Sequence, residues 1–178
     1  MATETLRPNA AGDETNIPSQ TPTTGSHWDK VDEASPDDDT TRLYTNQGAG
    51  AQWKRDLYNI PNSGLTNETI NSVKVYVRVW SSTTATYGGM YKIALKTGGT
   101  VYEGDQGNSP ASYTTYSETW TTNPYTSNAW QVADINSLQI GVNLGVYSLQ
   151  YSSNSFCTQV YVEVDYTPIT PKSSSDTG

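Results

Sequence analysis

The chain has 178 residues, enough for one domain with a buried core, and it is acidic, with 10 Lys and Arg against 18 Asp and Glu. The basic residues are dispersed, so the sequence lacks the basic face that nucleic-acid binding requires. The single cysteine excludes an intramolecular disulfide, and no apolar run reaches the roughly 18 residues of a membrane span.

Residues 1–27 are predicted to form an extended arm with one short strand near Thr3–Arg7. Three prolines among Thr, Asn, Ser and Gly exclude a helix in this segment. Leu6 and Ile17 are apolar side chains in an otherwise polar stretch. We therefore expect them to be partner-binding residues that dock on another subunit.

An acidic loop follows from His27 to Thr40, with Trp28 and Val31 as expected anchors on the domain. Its consecutive carboxylates Asp37, Asp38 and Asp39 are oxygen ligands of the kind that calcium binds. The alternative is a solvated loop in which Arg42 and water relieve the repulsion between the three charges. Calcium is the only cofactor that the sequence suggests.

Two segments show the clearest strand pattern. Val73–Trp80 has valine at every second position, which places four β-branched side chains on one face. Phe156–Tyr166 alternates in the same way, with Phe156 and Thr158 on the face of its valines. We expect the valine face of the first segment to pack against the aliphatic face of the second.

The rest of the chain reads as short strands separated by turns, with one helical turn or two within Gln131–Leu138. The pattern predicts an all-β, antiparallel β-sandwich of residues 28–167, for which we expect jelly-roll topology, and a short polar tail at 168–178 that we expect to be flexible. The further strands are predicted at Arg42–Thr45, Trp53–Ile60, Tyr91–Lys96, Thr100–Glu103, Tyr113–Trp120, Gln139–Leu144 and Val146–Tyr151.

Aromatic residues crowd the region from Tyr113 to Trp130. Exposed rings stack on sugar faces, so Tyr113, Tyr116, Trp120 and Tyr125 are candidate carbohydrate-binding residues. The alternative is that these rings fill the core or contact protein.

Catalytic machinery is not evident in the sequence. His27 is the only histidine and Cys157 the only cysteine, which leaves no partner set for a Ser–His–Asp relay or a zinc site. Glu163 and Asp165 have the spacing of a glycosidase pair, but we interpret them as the solvated face of a half-buried strand. We expect a protein that is not an enzyme.

The order of several short motifs resembles that of jelly-roll-like structural modules of tailed viruses, of the capsid-decoration or head-fibre type, and of related metagenomic surface proteins. The motifs are Leu6-Arg7-Pro8-Asn9, Trp28 with Val31-Asp32-Glu33, Asp37-Asp38-Asp39-Thr40, Glu118-Thr119-Trp120-Thr121-Thr122-Asn123-Pro124, Asp134-Ile135-Asn136 and Val160-Tyr161-Val162-Glu163-Val164.

The resemblance implies a protein on the virion surface that binds the major capsid protein or other virion subunits and forms a homo-oligomer on the particle. The start of the chain lacks a signal-peptide pattern, which fits synthesis in a host cytoplasm and release by lysis. Two alternatives stay open: a carbohydrate-binding module with a glycan ligand, and a subunit of an extracellular filament whose arm completes a neighbour's sheet.

Overall fold

The fold was analysed in a computed structural model that describes residues 1–45, 53–83, 88–146 and 153–169. Strands make up 53% of the described residues and helices 5%, so the fold is all-β as predicted. The strands are β1 (Ala2–Leu6), β2 (Ala10–Thr15), β3 (Ser19–Thr21), β4 (Arg42–Thr45), β5 (Lys54–Asn59), β6 (Thr69–Ser81), β7 (Gly89–Thr97), β8 (Thr100–Glu103), β9 (Gly107–Asn108), β10 (Thr114–Trp120), β11 (Gln139–Val146) and β12 (Ser155–Thr167). The helices are a 3-10 turn at Trp28–Lys30 and α1 at Val132–Asn136.

The strands form two antiparallel sheets that pack as a sandwich. Sheet A has the order β10-β6-β12-β4-β3, with β1 also beside β12. Sheet B has the order β2-β5-β11-β7-β8, with β9 also beside β7.

Eight of these strands have jelly-roll connectivity. They are the strands from β4 to β12 without β9. The outermost two in sequence pair with each other, β4 with β12, and the pairing continues inward with β5 and β11, β6 and β10, and finally β7 and β8. This nesting is that of one long hairpin folded over into two sheets. The predicted topology is confirmed.

The core lies between the inner faces of the two sheets. The valines of β6 are fully buried, as their alternation predicts, and so are those of β12. The expected packing of one valine face against the other is wrong, however, because β6 and β12 are neighbours in sheet A, with Val77 beside Val160 and Val75 beside Val162. Both valine rows face sheet B instead.

A register shift in β12 changes which residues face the core. The ladder with β6 is interrupted between Cys157 and Gln159, as in a β-bulge. Cys157 therefore belongs to the core. Phe156 stacks on Trp80 of the outer face, with ring centroids 4.5 Å apart, so the predicted inward orientation of Phe156 is wrong.

The N-terminal segment is built into the sandwich. It contains three strands rather than the predicted one: β1 pairs with β12, β2 with β5, and β3 with β4. Leu6 is 6% exposed and Ile17 2%, and both belong to the core. The prediction that they bind a partner is therefore corrected, because both side chains are already covered by their own domain.

Helix α1 joins the two sheets and follows the predicted pattern. Trp130, Ile135 and Leu138 are buried around it, and the Gln131 backbone N–H donates to the Asp134 carboxylate at 2.9 Å at its start. No helix in the described ranges has the length and apolar composition needed to cross a membrane. Two predicted segments lie outside the described residues. They are the part of the strand Val146–Tyr151 that follows Val146, and the tail from residue 170 onward.

Candidate functional site: the acidic loop and the outer face of sheet A

The acidic loop is fastened across the outer face of sheet A by two arginines. Arg78 of β6 donates to both oxygens of Asp38, from Nε at 2.6 Å and from Nη2 at 2.8 Å. Arg42 of β4 pairs with Asp39, which also accepts a hydrogen bond of 3.2 Å from the Tyr113 hydroxyl. A bidentate arginine–carboxylate pair is among the stronger polar contacts, so the loop is held in one position.

Asp37 contacts neither of the two arginines that bind Asp38 and Asp39. Both oxygens of its carboxylate lie 3.0 Å from the Thr41 hydroxyl oxygen, and the Thr158 hydroxyl of β12 lies 3.4 Å from one of them. Asp37, Asp38 and Asp39 thus point to three separate partners. Within the ranges that the structure describes, no three Asp, Glu, His or Cys side chains converge in a way that could hold a metal ion.

We expect calcium to leave the thermal stability unchanged, because the ion would have to displace Arg78 from Asp38 and Arg42 from Asp39. A ligand that binds only the folded state raises the melting temperature, so the measurement is a melting curve in millimolar calcium and in chelator. A rise in calcium that the chelator reverses would instead assign Asp37–Asp39 to a metal site.

Glu33 belongs to the acidic loop and is only partly hydrogen-bonded. Oε1 accepts from the Thr41 hydroxyl, but Oε2 is buried and has no hydrogen-bond partner. Burial raises the pKa of the Glu33 carboxyl, and the charges of Asp37 and Asp32 act in the same direction. The ionised form of Glu33 is therefore less favourable in the folded protein than in the unfolded chain.

We expect Glu33→Gln to raise the melting temperature at pH 7. The folded state binds the Glu33 proton more tightly than the unfolded chain, so stability falls as pH rises from the unfolded pKa through the raised folded pKa. The gain from the substitution should vanish below that window, which a melting series at several pH values would show.

Glu68→Gln is the matched control, for which we expect a change in melting temperature of the opposite sign. Backbone N–H groups, that of Thr66 first, lower the pKa of the Glu68 carboxyl. Its ionised form contributes stability above the unfolded pKa, so this substitution should lower the melting temperature at pH 7. Equal shifts for the two variants would contradict the assignment.

The four candidate carbohydrate-binding residues do not share a surface. Tyr116 and Trp120 lie on the inner side of β10 and pack against the core. Tyr125 is 55% exposed and its ring lies over the Gly98 turn, while Tyr113 lies beside Trp80 on the outer face, with centroids 5.4 Å apart. The predicted platform is thus corrected: these four rings are separated, because alternate residues of β10 face opposite sides of sheet A.

A row of contacting side chains that was not predicted crosses the outer face of sheet A. Tyr76 and Tyr161 stack with centroids 4.5 Å apart, the Arg7 guanidinium lies 5.4 Å from the Tyr161 ring, and Lys74 lies 5.0 Å from the Tyr76 ring. The Tyr76 hydroxyl donates to Glu163 at 2.6 Å. Cation–π contacts of this kind cover both faces of the stacked pair. The sequence signal was the aromatic residue at a polar position of each valine strand.

The acidic loop and this row of side chains border a groove of about 280 Å³. It is lined by Thr5, Arg7, Ala34, Pro36, Thr115, Gln159, Tyr161 and Glu163. Both charged residues of the groove are engaged, Arg7 with the Tyr161 ring and Glu163 with Tyr76. The groove is therefore a polar surface of largely satisfied groups.

The outer face of sheet B carries a second network of charges. Arg55 pairs with Glu14 at 2.8 Å and with Glu103 at 2.7 Å, and Lys92 pairs with Glu103 at 3.2 Å. The pairing lowers the pKa of Glu103 although its burial opposes this. Opposite charges thus neutralise each other on this face as well.

His27 is bound to a buried carboxylate rather than placed in a free arm. Its Nδ1 lies 2.6 Å from Oδ2 of Asp56, a residue with no exposed surface. Oδ1 of Asp56 accepts the backbone N–H groups of Asn16 and Ile17 at 2.6 and 2.8 Å. Asp56 therefore fixes both the N-terminal segment and the histidine ring.

Cys157 lies in the core with no exposed surface. Burial raises the pKa of its thiol to about 12. A thiol that stays protonated at neutral pH is a poor nucleophile and metal ligand.

No protein-family model matches this sequence, and no curated protein matches it. Solved structures with a similar fold include a carbohydrate-binding module from Cellvibrio mixtus lichenase 5A in complex with cellotriose, at 13% identity and a TM-score of 0.37, with 93% of this chain and 98% of that one covered. The tripod from the baseplate of bacteriophage Tuc2009 is similar at 12% identity and a TM-score of 0.40, over 96% of this chain and 65% of that one. An exo-beta-agarase is similar at 10% identity and a TM-score of 0.40, over 94% of this chain and 24% of that one.

Identities this low assign no function to the chain. Its strand order defines its class, which is an all-β, jelly-roll sandwich domain with polar, ion-paired outer faces.

Proposed function

We propose that this chain is a non-enzymatic structural module on the surface of a virus particle, of the capsid-decoration or head-fibre kind. In this role it binds the major capsid protein or neighbouring virion subunits, and copies of it associate on the particle. The order of sequence motifs that resembles such modules supports the proposal.

The observation that carries the proposal is the position of the exposed apolar side chains. Among the described residues, the exposed large apolar side chains are Met1, Tyr125 and Ile169, at 94%, 55% and 54%. Ala2 lies beside Tyr166 in the ladder of β1 and β12, so Met1 and Ile169 leave the sandwich at the same end. We infer that this end contacts the particle, since exposed apolar side chains that occur together favour protein contacts.

The two outer faces support the same orientation. Both carry ion pairs between side chains of this chain, such as Arg78 with Asp38 on sheet A and Arg55 with Glu14 on sheet B. Pairing of this kind keeps a surface hydrated and soluble, and it contributes little to binding a partner. The faces therefore suit display in solvent, with attachment at the end that carries Met1 and Ile169.

The test uses virus particles purified from the culture that carries the gene and stripped of their own copies of this protein. The purified protein is sedimented with these particles, and an antibody to the folded domain detects it in the pellet. We expect the parent protein to sediment with the particles and Ile169→Asp to remain largely in the supernatant. Ile169 is exposed and outside the core, so the substitution should leave the melting temperature unchanged.

Thr115→Asp is the matched control, because it places the same carboxylate at an exposed position of β10, beside Arg78 and away from the end of the sandwich that carries Met1 and Ile169. This variant should sediment like the parent. Absence of the parent protein from the particle fraction would overturn the proposal, and equal sedimentation of Ile169→Asp would move the attachment surface away from that end.

A further inference from the structure

A cavity of about 230 Å³ lies where β2 and the loop after β3 meet Tyr58 of β5. It is lined by Ala11, Thr15, Gln20, Gly25, Ser26, His27, Trp28 and Tyr58. None of the contacts described above on the outer faces of the sheets involves this cavity. Its walls combine two aromatic rings with several hydrogen-bonding groups.

The cavity holds an acceptor that lacks a donor. The Gln20 amide nitrogen donates to the Gly25 carbonyl at 2.9 Å, which fixes the orientation of the amide. Its Oε1 is buried and has no hydrogen-bond partner. A buried polar atom without a partner is destabilising, so a ligand that donates a hydrogen bond here would gain affinity.

His27 supplies a second hydrogen-bonding group. Its Nδ1 faces the Asp56 carboxylate at 2.6 Å, and Asp56 also accepts two backbone N–H groups. This contact engages Nδ1, so Nε2 is the ring nitrogen that can hydrogen-bond with a ligand hydroxyl, which can both donate and accept. The His27 side chain is 18% exposed and lines the cavity.

The aromatic walls define the rest of the ligand. Trp28 packs against the core with part of its surface left accessible, and Tyr58 is only 1% exposed. An aromatic wall favours a ligand with an apolar face, while two hydrogen-bonding groups call for hydroxyl groups on its edge. The acidic chain, with a net charge of −8, disfavours an anionic ligand.

We propose that the cavity between Gln20, His27 and Trp28 binds one neutral, hydroxyl-rich ring, the chemistry of a single sugar residue. One hydroxyl group donates to Gln20 Oε1, another hydrogen-bonds with His27 Nε2, and a face of the ring lies against Trp28. This site is separate from the rings at Tyr113–Tyr125, and it does not depend on the proposed attachment to a particle.

The experiment is saturation-transfer difference NMR of the full chain with glucose, galactose, mannose and N-acetylglucosamine, each at millimolar concentration. We expect transfer to at least one of the four sugars. Gln20→Ala should weaken that binding about fivefold, since a hydrogen bond of about 1 kcal/mol is lost.

Blocking variants locate the site. Ala11 and Thr15 are exposed at the mouth of the cavity, so Ala11→Phe or Thr15→Phe should fill it without unfolding the domain and should abolish transfer. Ala133→Phe places the same side chain at an exposed position on α1, outside the cavity, and should bind like the parent.

Absence of transfer to all four sugars would overturn the proposal. Transfer that both blocking variants retain would overturn it as well, because the sugar would then bind elsewhere. The isolated domain serves for this measurement, so its outcome is independent of the sedimentation test.

Discussion

Deleting residues 1–20 is expected to unfold the domain. The deletion removes β1, β2 and most of β3, and with them ladders on both sheets. It also removes Leu6 and Ile17 from the core, and burial of each is worth about 1.5–3 kcal/mol. Asp56 would lose the N–H groups of Asn16 and Ile17. The sum is a large part of the roughly 5–15 kcal/mol that holds a domain together.

The measurement is circular dichroism and thermal unfolding of the shortened and full chains. Ile17→Ala is a milder version of the same change and should cost about 2–5 kcal/mol through the cavity that it leaves. Thr3→Ala, at an exposed position of β1, should leave stability within about 0.5 kcal/mol of the parent. A shortened chain that melts like the parent would mean that the N-terminal strands form a detachable arm.

Val77→Asp is expected to unfold the protein as well. Val77 has no exposed surface and lies in the middle of β6, between β10 and β12. A carboxylate at this position would lie among the buried apolar side chains of the core, and burying it costs several kcal/mol whether it ionises or takes up a proton. Loss of the cooperative melting transition at pH 7 is the expected result.

Thr119→Asp tests whether position rather than charge is responsible. Thr119 is exposed on the outer side of β10 and lies beside Lys74 in the ladder. The new carboxylate should be neutral for stability or slightly favourable, since an exposed pair contributes about 0–1 kcal/mol. Similar destabilisation by both substitutions would refute the inward orientation of Val77.

The strands with a strong alternating pattern were predictable from sequence. β6 and β12 each alternate over many residues, and only a sheet with one buried face explains that period. The partner of each strand was not predictable, because alternation gives the inward face but not the neighbour. The bulge after Cys157 was also hidden, since it reverses the inward face without changing composition.

The N-terminal segment was misread for a physical reason. Its strands are short and lie at or near the margins of the sheets, so few of their side chains are buried. Pro8, Pro18 and Pro22 fall between or just after these strands, where they leave the ladders intact. Low hydrophobicity therefore suggested an arm where backbone pairing, supplied by distant strands, gives the structure.

The polar sites depended on contacts that sequence does not reveal. Asp38 and Arg78 are 40 residues apart, and His27 and Asp56 are 29 apart. The acidic run itself predicted mutual repulsion that something must relieve, and Arg42 was identified as one of its partners. The roles of Arg78 and of the buried Asp56 could be identified only from the positions of the strands in the structure.

The ladder of β1 and β12 has a consequence for mechanical force. Ala2 and Tyr166 are paired at the same end, so a pull that separates the two strands from that end acts across the ladder. The hydrogen bonds of an antiparallel pair lie perpendicular to the strands, and such a pull breaks them one after another rather than all together. The domain should yield readily to tension applied between its first and last strands. A domain with this geometry withstands drag better when it hangs from one anchored side than when it forms a link in a stretched chain.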